Sequence, residues 1–84
     1  MLKVGDTITV RYSKKLAQNG NSLLVNRTGK VTRVLTSNGE VVGVRADVTV
    51  MRKTRNFYIP VSSIDGSDEI NRMMSLNILK STIL

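Results

Sequence analysis

From Thr7 to Tyr12 apolar and polar residues alternate one for one, with Ile8, Val10 and Tyr12 on one face and Thr7, Thr9 and Arg11 on the other. A period of two is that of a half-buried strand, and Gly5-Asp6 supplies the turn that launches it. Between residues 13 and 22 the alternation dissolves into SKKLAQNGNS, which reads as a long polar loop. It returns from about Leu23 to Thr36 with a break at Asn26 to Gly29, where Gly29 points to a bulge or sharp bend. Ser37-Asn38-Gly39-Glu40 is a tight turn, because Asn-Gly tolerates the positive φ a hairpin demands. The next strand runs from Val41 to Met51, with Val42, Val44, Ala46, Val48 and Val50 inward and Gly43, Arg45, Asp47 and Thr49 outward. Residues 52 to 56 interrupt the pattern and Phe57 to Val61 restores it, so MRKTRN is expected at the tip of a hairpin. Pro60 marks an edge or a strand end, since it cannot donate to a ladder.

The period changes after residue 64. Ser67-Asp68-Glu69 offers a capping residue followed by acids, which suits the positive end of a helix dipole. At helical spacing Ile70, Met73, Met74 and Ile78 form one apolar stripe and Leu76, Leu79 and Ile83 a second on the far side. One stripe is expected to cap the strands. The second either folds back on them or meets a partner, a second copy of the chain included. The pattern as a whole predicts a mainly β single domain over residues 1–84: a small five-stranded antiparallel barrel over 1–64 and a C-terminal α-helix over 65–84.

Charge adds a partner class to this picture. The chain carries 13 Lys and Arg against 6 Asp and Glu, and residues 1–64 hold 11 of the cations against 3 acids, an excess of eight. A domain this basic draws polyanions at long range. The cations fall in groups: Arg52, Lys53 and Arg55 at the expected hairpin tip, Lys14 and Lys15 in the expected loop, and Arg27, Lys30 and Arg33 along the bent strand. Of the three aromatic residues, Tyr12 and Phe57 share parity with buried positions, and Tyr58 faces outward, either to meet a base or to lie beneath the C-terminal helix. One exposed ring makes a poor stacking platform, which favours duplex DNA or structured RNA, bound by shape and charge, over single strands.

Catalytic and metal chemistry find little support. The chain has no Cys and no His, so the commonest nucleophile-base pairs and metal ligands are missing. The closest acids, Asp65, Asp68 and Glu69, are explained by helix capping and lack the further oxygen ligands of a calcium loop. Met1 is followed by LKVGD and not by a basic segment and an apolar run, so the expectation is a soluble, cytoplasmic protein without a membrane span, a cofactor or an enzymatic activity.

Val4-Gly5-Asp6-Thr7-Ile8-Thr9-Val10, then Gly29-Lys30-Val31-Thr32-Arg33-Val34, and later Tyr58-Ile59-Pro60-Val61-Ser62-Ser63-Ile64, resemble the SH3-like small barrels. The first two pieces are similar to the KOW motif of ribosomal proteins and transcription elongation factors. The resemblance covers about residues 4–64, and the second glycine of KOW sequences has no clear counterpart beyond Gly20. It implies a five-strand barrel whose loops contact RNA, DNA or a polymerase. Two functions follow. The first is sequence-independent nucleic-acid binding through phosphate by Arg52, Lys53, Arg55, Lys14, Lys15, Arg27, Lys30 and Arg33, with Tyr58 beside them. The second is a non-enzymatic adaptor for an acidic protein surface such as the transcription machinery, docking through the stripe of Leu76, Leu79 and Ile83.

Overall fold

The computed structural model describes residues 2–65. Four strands form one antiparallel sheet in sequence order: β1 Thr7–Thr9, β2 Thr28–Ser37, β3 Glu40–Val50 and β4 Lys53–Pro60. Both inter-strand turns have two residues, Asn38-Gly39 between paired Ser37 and Glu40, and Met51-Arg52 between paired Val50 and Lys53. All four turn residues take positive φ, the hand that matches strand twist in so short a connection. Among the described residues the sheet is open, with β1 and β4 at its edges.

The connection between β1 and β2 is not the polar loop its composition suggests. Ser13 takes an extended conformation and its hydroxyl accepts from the Leu16 backbone N–H at 3.1 Å, capping a short helix, α1, Lys14–Gln18. Leu16 turns into the core, and a 3-10 turn at Ser22–Leu24 buries Leu24 beside it. The connection therefore covers the inner face of the sheet, and Lys14 and Lys15 ride on α1. With Leu16 and Leu24, the core comprises Ile8, Val10, Val31, Val44, Ala46, Val48, Ile59 and Ile64. Each large aliphatic side chain buried there contributes about 1.5–3 kcal/mol.

At one end the chain comes back on itself. Val10 bridges Ile64, the Arg11 N–H donates to Ser63 O at 2.7 Å, and the Asp65 N–H donates to Thr9 O at 3.3 Å. On its other side Val10 donates to Arg27 O at 2.9 Å and accepts from Asn26 N at 2.7 Å. Ser63, fully buried, exchanges a hydroxyl hydrogen bond with Ser13 and ties this return to the cap of α1.

Several expectations are corrected here. Tyr12 is 63% exposed, because the chain leaves the sheet after Val10 and strand parity no longer fixes its side chain. The second strand starts at Thr28, and Gly29 is an ordinary paired position opposite Ile8 and Val48; its missing Cβ, which would lie 2.8 Å from Val48 Cγ2, lets β3 approach. The bulges sit elsewhere. Thr32 is the extra residue between the pairs Val31–Ala46 and Arg33–Arg45, and Val42 is the extra residue between Leu35–Gly43 and Thr36–Val41. The second bulge buries Val41 and exposes Val42, the reverse of strict alternation. β4 starts at Lys53 and not at Phe57, so the hairpin tip shrinks to Met51-Arg52. Among the described residues there are four strands in an unclosed sheet. The expected helix and the interface at Leu76, Leu79 and Ile83 lie outside the described residues.

Candidate nucleic-acid interface

The outer face of the sheet is polar, as the alternation of β3 requires. Reading across the strands, Lys30 stands beside Asp47 and Asn56, and Arg33 stands beside Arg45 and Tyr58. The two bulges are what create the second row. In an unbulged hairpin hung on the Asn38-Gly39 turn, Arg33 would oppose Val44 on the core face; the extra Val42 shifts the register by one, and the extra Thr32 restores it below. Arg33 is thereby moved to the exposed outer face, directly opposite Arg45.

Like charges directly opposite one another destabilise a sheet. Here the neighbouring polar groups hold one of the pair in place. The Arg45 Nε–H donates to Asn56 Oδ1 at 2.7 Å, and the Asn56 amide nitrogen donates to Asp47 Oδ1 at 3.0 Å and to Thr32 Oγ1 at 2.9 Å. The Thr32 hydroxyl donates in turn to the Arg45 carbonyl at 3.2 Å. Asn56 thus links β2, β3 and β4 and fixes the direction of the Arg45 side chain. Asp47 is drawn toward Asn56 on the row beyond, and no acid stands opposite Arg33 or Arg45. An anion placed over that pair would meet two guanidinium forks, the side chain best matched to phosphate.

Tyr58 is half-buried and its hydroxyl donates to the Val42 carbonyl at 3.2 Å. Its ring lies across Gly43, where an added Cβ would come within 2.7 Å of Cε2 and Oη. The ring fills the gap the glycine leaves.

Five of the remaining expected cations do not join this face, and Arg27 meets it at its border. Lys53 and Arg55 pair with Val50 and Val48, which puts them on the opposite, core-side parity. There they line a groove with Leu23, Val50, Met51 and Phe57. Phe57 is half-buried and packs against the core. Arg52 occupies the turn itself. The Arg27 Nε–H donates to Leu23 O at 3.3 Å, and its side chain borders a polar concavity with Thr7, Lys30, Asp47 and Thr49. Lys14 and Lys15 are exposed on α1. Of the expected set, Lys30, Arg33 and Tyr58 share one face with Arg27 at its border, and Arg45 belongs with them although alternation alone had marked it only as an outward position. Its signal is the pair of alternation slips, Val31-Thr32-Arg33-Val34 and Val41-Val42-Gly43-Val44, which set Arg33 opposite it.

Among the described residues there is no group of three or more acids, His or Cys that could hold a metal, and no helix long and apolar enough to cross a membrane. No family model matches the chain, and no curated protein or solved structure matches it either.

Proposed function

We propose that this chain is a small basic nucleic-acid-binding protein that grips the phosphate backbone of duplex DNA or structured RNA, without catalysis and largely without regard to sequence. The observation that carries the reading is the cross-strand pair Arg33–Arg45, brought together by two bulges and flanked by Lys30. A protein folding for stability alone gains nothing by matching two cations across a hairpin; a bound phosphate turns that repulsion into attraction. The charge excess of residues 1–64 supplies the long-range attraction, and the shortage of exposed rings directs the reading to backbone contacts.

The architecture we infer with it is the five-stranded SH3-like barrel, related to the KOW type. In support, the Val10–Ile64 bridge and the flanking bonds from Arg11 and Asp65 bring the last described residues back against the end of β1. The test is fluorescence anisotropy with labelled duplex DNA, single-stranded DNA and an RNA hairpin at low and moderate salt. Tight duplex or hairpin binding that falls steeply with salt, and that Lys30→Ala with Arg33→Ala weakens, is the expected result. Absence of binding to all three polymers at low salt would overturn the reading.

A further inference from the structure

The two turns of the sheet are made very differently. Asn38-Gly39 uses the residues that tolerate positive φ, whereas Met51 and Arg52 hold φ of 52° and 66° with side chains that disfavour it. The consequence of that choice is display: Met51 is 88% exposed. Next to it Leu23, 54% exposed, projects from the β1–β2 connection, and Val50 and the half-buried Phe57 floor the space between. Lys53 and Arg55 complete the groove, Arg52 stands between Met51 and Lys53 in the turn, and none of the described lining residues is an acid. Along one side runs β4, an edge strand among the described residues.

We propose that this groove docks an extended acidic segment of a partner protein, with one large apolar side chain seated among Leu23, Met51 and Phe57. Flanking carboxylates of the segment meet Arg52, Lys53 and Arg55. Charge complementarity selects this occupant, since the groove offers cations and apolar surface and nothing that would hold a basic or merely polar chain. The edge of β4 supplies the backbone pairing an extended segment needs, with side-chain specificity coming from the apolar slot. A nucleobase is served less well, because the one ring in the groove is half-buried and offers no flat platform. The groove lies on the opposite parity from Lys30, Arg33 and Arg45, so the two surfaces can be altered separately.

The test uses a fluorescent peptide in which glutamates alternate with leucine and phenylalanine, and a control with serine in place of the apolar residues. The protein is expected to bind the first at least about tenfold more tightly than the second. Met51→Asn with Arg52→Gly, which suits the turn while removing the apolar side chain and a cation, is expected to weaken that binding by about tenfold with no loss of thermal midpoint. Lys30→Ala with Arg33→Ala is expected to leave it unchanged. Equal affinity for the two peptides, or full affinity in the turn variant, would overturn the proposal. So would a single-stranded oligonucleotide that displaces the peptide and depends equally on Met51, which would assign the groove to nucleic acid.

Discussion

Gly43 and Tyr58 work as a single unit, the ring occupying the place a side chain at 43 would take and the hydroxyl donating to the preceding carbonyl, that of Val42. A methyl group at 43 would also lie 2.7 Å from Ile59 O, a backbone atom of the paired strand that cannot swing aside. Gly43→Ala is therefore expected to cost about 2–3 kcal/mol, read as a lower urea midpoint. At the tip the sign reverses. Met51 and Arg52 each hold a left-handed conformation that costs a side chain about 1–2 kcal/mol. Met51→Asn with Arg52→Gly is expected to raise stability by about 1–2 kcal/mol in the same measurement. The two substitutions separate a position where shape is optimised from one where it is not.

At the scale of elements, the fold was legible wherever period and turn chemistry agreed. The run from Val44 to Val50 and the Asn-Gly turn before it are read directly from alternation and from the residue pair that positive φ selects. The rest was hidden for identifiable reasons. α1 is too short to display a helical period, and of its five residues only Leu16 is buried, so its main signal is Ser13 as a cap. The bulges conceal themselves because alternation is counted from one end, and a single extra residue exchanges the faces of everything beyond it. For the candidate site this had a direct cost: Arg33 is legible as one of the cations along the bent strand, but its partnership with Arg45 follows only from the ladder. The cap is testable alone. Ser13→Ala removes the acceptor for the Leu16 N–H and leaves the buried Ser63 hydroxyl without its partner, so a loss of about 1–3 kcal/mol is expected by thermal unfolding.

For the molecule as a whole, the charge on the outer face is expected to matter for binding and hardly at all for folding. On duplex DNA each phosphate contact contributes about −0.9 to the slope of log affinity against log salt. If Lys30 and Arg33 each engage one, Lys30→Ala with Arg33→Ala is expected to flatten that slope by about 1.8. The unfolding midpoint should stay level or rise slightly, because a like-charged cross-strand pair has been relieved. The bridge between Val10 and Ile64 has a consequence of another kind, in time. β2, β3 and β4 are joined by two-residue turns and can zip up locally, whereas Val10 and Ile64 come from opposite ends of the described chain and meet only after the intervening residues are in place. That closure is expected to follow the rate-limiting step. Ile64→Val, at a cost of about 1 kcal/mol, should then speed unfolding about fivefold and leave the refolding rate nearly untouched. A stopped-flow chevron in which the folding arm moved instead would place the joining of the two ends at the start of folding.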